Sequence, residues 1–354
     1  MKTINKLLSK TVDLNASDLH LRSGKPPKVR IYGKLMDLDV SNKESNNNNY
    51  EFLYDILSEE KQTIFKEKKE LDFAYEVPGI GRFRVNFLKS IDGLGAVFRV
   101  ITKEIKPLEE LKLPKILLDF ANMEKGLVLV TGPTGCGKTT TLASLIDYIN
   151  NTRGCHIITI EDPVEFVHEN KNSLITHREV GTHTNSFASA LRAALREDPD
   201  IILIGEMRDL ETIKMALTAA ETGHLVFSTL HTNDASSTID RLIDVFPSDH
   251  QNQVRMMLAQ VLKGAVSQQL LDLKDIDGRI AALEIMFCNS AISSLIREGK
   301  SHQIYSSIQT GRKEGMQTMD QSISDLLKQR MISFDEGIRH AMDKEVFQKF
   351  RGAL

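Results

Sequence analysis

The chain lacks the features that would make it a disulfide scaffold, a membrane span or a nucleic-acid coat. It has only three cysteines, Cys136, Cys155 and Cys288. None is paired in a C-x-x-C or similar spacing, which argues against a disulfide framework or a cysteine zinc site and points to a reducing compartment, with the cytoplasm as the expected location. No apolar run approaches the roughly 18 residues that a spanning helix needs, and Met1–Lys10 has no apolar core of the kind a secretory leader carries. Membrane association is therefore expected only through a partner. Forty-five Lys and Arg stand against 48 Asp and Glu, a formal charge of −3. That leaves no overall positive field to hold nucleic acid, and no nucleic-acid partner is expected. No internal repeat is visible.

What is present fits an ordinary globular protein, with 41% hydrophobic and 26% charged residues. At about 150 residues per domain, 354 residues predict two domains. Residues 1–101 mix helical and alternating patterns and predict a small α+β domain. Lys28–Gly33 and Gly81–Asn86 alternate as strands, an amphipathic helix is expected from Tyr50 to Lys69, and Ala96–Ile101 reads as a buried strand. Ser41–Asn49 ends in four asparagines and predicts a surface loop. Residues 102–113 are charged and contain Pro107, with Pro114 just beyond, and are assigned as a linker. From 114 to 354 the texture is α/β with a mainly parallel sheet. Strands are expected at Leu127–Val130, Ile157–Ile160, Ile201–Ile204 and Leu225–Leu230. Past Asp240 the chain reads as mostly helical, including Gln251–Leu271 and Gln317–Met342.

Gly132, Pro133, Thr134, Gly135, Cys136, Gly137, Lys138 and Thr139 satisfy G-x-x-x-x-G-K-[ST], after a strand and before a helix-compatible run that starts with Thr140. Glycines let successive backbone N–H groups turn toward phosphate oxygens, and the following helix adds its positive end. Lys138 is expected on the β and γ phosphates of ATP and the Thr139 hydroxyl on Mg²⁺. Cys136 at a helix N-terminus has two readings, a redox thiol or simply a small loop residue.

Hydrolysis needs groups to orient or deprotonate water and to hold the metal, and carboxylates do both. Glu161, Asp162 and Glu165 lie on a turn directly after an apolar strand. Glu206 follows Ile201–Ile204 with Gly205 where many P-loop enzymes carry the magnesium-binding Asp, which makes Glu206 the indirect magnesium partner. His224 and His231 bracket a strand and lie on opposite faces if it is regular. They are ordinary strand-end histidines or sensors of the γ-phosphate. Arg82, Arg84 and Arg99 on expected strands, and Arg192 and Arg196 one helical turn apart, are candidate phosphate fingers.

The order of these segments resembles the type IV pilus and type II secretion ATPases. The likeness rests on the phosphate loop, Glu161-Asp-Pro-Val-Glu165, Gly205-Glu-Met-Arg-Asp209 and Thr222–Thr232. It also includes Ala16-Ser-Asp-Leu-His-Leu21 and Phe83-Arg-Val-Asn86, so it spans nearly the whole chain. The resemblance implies a PAS-like N-terminal domain and a RecA-like ATPase domain in a homohexameric ring that binds ATP between domains. It gives Glu165 the role of general base, Glu206 that of the Walker B glutamate, and His224 and His231 the places of the two box histidines. Within the family, the start near the PAS-like part and the absence of a tetracysteine insertion favour the pilus retraction members, which drive pilus disassembly and twitching motility. The implied partners are an inner-membrane platform protein and, as a further candidate, a second retraction ATPase. Those members carry Ala-Ile-Arg-Asn-Leu-Ile-Arg near the C-terminus, and here Ala291–Arg297 has Ser293 and Ser294 in place of Arg and Asn. An accessory motor, an extension or secretion ATPase, a RecA-like nucleic-acid translocase and a non-hydrolysing ATP-binding scaffold remain as alternatives.

Overall fold

The computed structural model describes residues 3–31, 33–39, 50–101, 104–344 and 347. The chain divides into two compact units, Met1–Glu104 with Pro163–Val167, and Ile105–Asp162 with His168–Leu354. The loop expected at Ser41–Asn49 lies outside the described residues.

The first unit contains α1 (Thr3–Asp13), β1 (Asp18–Arg22), β2 (Lys28–Ile31), β3 (Lys34–Asp37), α2 (Glu59–Lys68), β4 (Glu70–Val77), β5 (Gly81–Ser90) and β6 (Gly93–Ile101). Its strands form an antiparallel sheet in the order β3-β2-β1-β6-β5-β4. The period-2 alternation of β5 places Phe83, Val85 and Phe87 in the core, with Ile4, Leu7 and Leu8 of α1 packed into the same cluster. The single helix expected over Tyr50–Lys69 is two pieces, a 3₁₀ segment Glu51–Ile56 and α2. Ser58 divides them because its hydroxyl accepts the Lys61 N–H and caps the second helix.

The second unit opens with α3 (Leu118–Ala121), β7 (Gly126–Thr131), α4 (Lys138–Thr152), β8 (His156–Glu161), β9 (Leu174–Glu179) and α5 (Phe187–Ala194). It continues with β10 (Ile201–Ile204), α6 (Leu210–Glu221), β11 (Leu225–Leu230), α7 (Ala235–Asp244) and α8 (Gln251–Val261). Last come β12 (Leu262–Asp272), β13 (Arg279–Phe287), α9 (Ser290–Arg297), α10 (Ile304–Thr310), α11 (Met319–Lys328) and α12 (Phe334–His340). The sheet order is β13-β12-β7-β11-β10-β8-β9, parallel except for the β12–β13 pair. This is the α/β, RecA-like architecture expected of a P-loop ATPase. Leu127 and Leu129 enter one core cluster while Val128 and Val130 enter the other. Burial on both faces is why these strands read as unbroken apolar runs.

Two expected helices are shorter than their patterns. Gln251–Leu271 is helical only to Val261 and continues as β12, an inner strand between β7 and β13. Gly264 in mid-run weakens a helix by about 1 kcal/mol, and there its backbone packs against Phe120 and the Met286 carbonyl. Gln317–Met342 is two helices, α11 and α12, the second capped by the Ser333 hydroxyl.

Candidate nucleotide site

β7 ends at Thr131, whose hydroxyl donates to Ser267 Oγ of neighbouring β12 at 2.9 Å. The loop that follows uses its glycines for different reasons. Gly132 (φ 138°) lies so close to β12 that an added Cβ would stand 2.2 Å from the Gln268 carbonyl oxygen. Gly135 (φ 80°) has open space beside it and needs only the left-handed backbone. Gly137 (φ 90°) is the residue before α4, and a Cβ there would meet the Gln268 amide at 2.9 Å. Lys138 is 8% exposed. Its ammonium donates to the Gly132 and Pro133 carbonyls at 2.8 and 3.0 Å, folded over the loop. Pro133, Thr134 and Gly135 are exposed, and Thr139 and Thr140 are half-buried at the start of α4. Cys136 is buried. Burial pushes its thiol up, outweighing the Lys138 charge, so it is a packed loop residue and not a thiolate.

At the carboxyl end of β10, Glu206 is held from two sides. Arg208 Nε lies 2.8 Å from its Oε1, and His231 Nε2, just past β11, lies 3.4 Å from its Oε2. The Thr229 hydroxyl donates to the Gly205 carbonyl, and the Met207 N–H donates to the Thr229 carbonyl, tying this turn to β11. Asp209 then caps α6, accepting from the Thr212 N–H and hydroxyl at 2.8 and 2.7 Å. Burial works to raise the Asp209 carboxyl, but these hydrogen bonds win and hold it below the usual carboxylate range.

The structure brings Glu206 and His231 together but not His224. His224 precedes β11, bonded to the Ala219 carbonyl and near the Thr222 hydroxyl. The seven-residue separation across β11 puts it roughly 23 Å from His231. The acidic turn is divided too: Glu161 and Asp162 belong to the second unit, while Glu165 lies in Pro163–Val167 of the first. Arg99 pairs with Asp18, Arg82 with Glu76 and Arg192 with Glu211, whereas Arg84 and Arg196 have no ion pair among the described residues.

Sequence reasoning missed Arg208, although it stands two residues beyond Glu206 in the quoted motif, and it missed Gln268 on the strand taken for a helix. It also missed a cavity of about 310 Å³ beside the start of α4. Gly137, Thr140, Leu270, Arg279, Lys106 and Lys112 contribute to its walls, the last two from the segment assigned as linker. In the degenerate C-terminal motif, Ile292 and Ile296 are buried, Ser293 Oγ meets the Cys288 thiol at 3.4 Å, and Ser294 Oγ donates to Glu298 at 3.3 Å.

The family of type II/IV secretion system proteins matches residues 1–339. The chain is 49% identical over 344 residues to the type IV pilus retraction ATPase PilT of Pseudomonas aeruginosa, covering 97% of this chain and 99% of PilT. It is also 49% identical over 322 residues to a twitching motility protein of Neisseria gonorrhoeae, covering 90% and 85% of the two chains. The crystal structure of the pilus retraction motor PilT with bound ADP superposes with a TM-score of 0.89 at 44% identity, covering 98% of this chain and 99% of that one. No helix among the described residues is long and apolar enough to cross a membrane. The chain belongs to the type II/IV secretion system protein family and is one of its ATPases.

Proposed function

We propose that this ATPase powers retraction of a type IV pilus, as a cytoplasmic homohexamer acting on an inner-membrane platform protein, with a second retraction ATPase as a further partner. The observation that carries the reading is the near full-length match to PilT, which extends through both units. The site's geometry supplies the chemistry. ATP phosphates lie against the N–H groups of Thr134–Thr140 at the start of α4, and the cavity beside them, apolar at Leu270 and edged by Lys106, Lys112 and Arg279, takes the nucleoside end.

Lys138 exchanges the loop carbonyls for β and γ phosphate oxygens when nucleotide arrives. The Thr139 hydroxyl at the start of α4 and the Glu206 carboxylate past the end of β10, in the same sheet, are hard oxygen donors that would fit Mg²⁺, Glu206 through water. Bound there, the ion neutralises charge on the transferring phosphate. Glu165 accepts the proton of the attacking water. His231 reads the state of Glu206 through their shared contact. His224 has no part in this site within one chain.

The test is deletion of the gene in its host, counting surface pili and twitching movement. Abundant pili with lost movement support retraction. Bald cells would mean an extension motor, and normal pili with normal movement would point to another machine.

A further inference from the structure

Gln268 sits in the middle of β12, one residue past the Ser267–Thr131 pairing that joins β12 to the strand leading into the phosphate loop. Its side chain is 3% exposed and spans the loop. The amide nitrogen donates to the Cys136 carbonyl at 2.6 Å, and the amide oxygen accepts from the Thr141 hydroxyl, in the first turn of α4, at 2.8 Å. Its backbone carbonyl is what an added Cβ on Gly132 would strike, and its amide is what one on Gly137 would strike. One residue of β12 therefore touches the loop at its beginning, near its middle and at its junction with the helix.

The physics of an anion-binding loop gives these contacts a consequence. For N–H groups to face the phosphates, the neighbouring carbonyls must face away, toward protein. A buried carbonyl turned inward without a donor is costly, so a loop that loses its donor relaxes toward shapes that expose the carbonyl and no longer present the N–H groups together.

We propose that Gln268 is a positioning residue for nucleotide binding: it holds the Cys136 carbonyl and Thr141 so that the loop is set for phosphate before nucleotide arrives. The inference rests on Gly132–Thr139 being the phosphate site. Gln268 and Thr141 also border the cavity beside α4, but both amide atoms of Gln268 are engaged by Cys136 and Thr141, so Gln268 acts through the loop and its loss weakens binding more than turnover of bound ATP.

The test uses the full chain as wild type, Gln268→Met, Thr141→Val, the double variant and Lys138→Ala. Circular dichroism checks the fold, and calorimetry with ADP and steady-state ATP hydrolysis provide the readouts. Gln268→Met, of similar volume but without the amide, should raise the ADP dissociation constant and the KM for ATP together, about 10- to 50-fold. The kcat at saturation should fall less than about threefold. Thr141→Val should show a smaller increase, since the Cys136 tie remains, and the double variant should be no worse than Gln268→Met alone. A folded Gln268→Met with wild-type ADP affinity and KM overturns the proposal, even if it melts earlier. If Gln268→Met does not fold, Thr141→Val decides, and an unchanged ADP affinity in it sinks the idea. Lys138→Ala separates the two layers: if it too binds ADP normally, the phosphate-site reading fails, whereas if it alone is defective only the role of Gln268 fails.

Discussion

Two buried groups of opposite character contribute opposing pH dependences to the second unit, and separating them tests the packing around both. Glu284 on β13 is 1% exposed. One carboxyl oxygen accepts the Ala235 N–H at the start of α7 at 2.8 Å, while the Met319 backbone N–H also lies near enough to favour the charged form. Burial, with Asp234 and Asp320 adding repulsion, pushes its pKa from 4.5 up to about 7. His168 is 6% exposed, stacked on His177, with its Nδ1 unpartnered among the described residues. Burial, with the His177 charge adding to it, pushes its pKa from 6.5 down to about 4.

The raised Glu284 contributes stability that is full below pH 4.5 and lost as the pH rises through about 7. The depressed His168 contributes stability present above pH 6.5 and lost as the pH falls through about 4. Each gap of about 2.5 pH units is worth about 3 kcal/mol at 1.36 kcal/mol per unit. Between about pH 4.5 and 6.5 the two slopes oppose, so wild type should change little there on their account. Glu284→Gln keeps the oxygen for Ala235 and removes the titration. It should gain up to about 3 kcal/mol over wild type at pH 8 and lose stability on acidification below pH 6.5. His168→Gln should do the reverse, falling in stability from pH 4.5 to 7. The chain has no tryptophan, so urea unfolding is followed by far-ultraviolet circular dichroism at several pH values. A Glu284→Gln curve parallel to wild type, with no gain at pH 8, would refute the reasoning.

Other outcomes follow from the site and its supports. Lys138→Ala should lose tight nucleotide binding and turnover, measured by calorimetry and phosphate release; unchanged activity would remove the phosphate site from this loop. Glu165→Gln should bind ATP as wild type does but hydrolyse it about 100-fold or more slowly, the loss expected of a general base, and full activity would reassign the base. Gly264→Ala should cost about 3 kcal/mol or more and give little folded protein, because the new Cβ would stand 2.4 Å from both the Met286 carbonyl oxygen and the Phe120 ring. Expression of a normally stable Gly264→Ala chain would contradict the close packing of β12 against β13.

The glycine-rich loop between β7 and α4 and the strands β7, β8, β10 and β11 were legible in the sequence because their causes are local. Glycine spacing, a lysine–threonine pair and short apolar runs with helix-compatible stretches between them constrain the chain within a few residues, and burial of those strands on both faces keeps the runs unbroken. The place of Glu206 was legible for the same reason, as the first carboxylate past the end of β10. Tertiary structure decided that Leu262–Asp272 is a strand, since Gly264 only weakens a helix there and the place beside β7 selects the strand. It decided that Gln268 meets Cys136, 132 residues away in sequence. It also decided that Glu206 meets His231, 25 residues away in sequence. These are pairings between distant residues, set by which elements pack together, and no spacing along one chain encodes them.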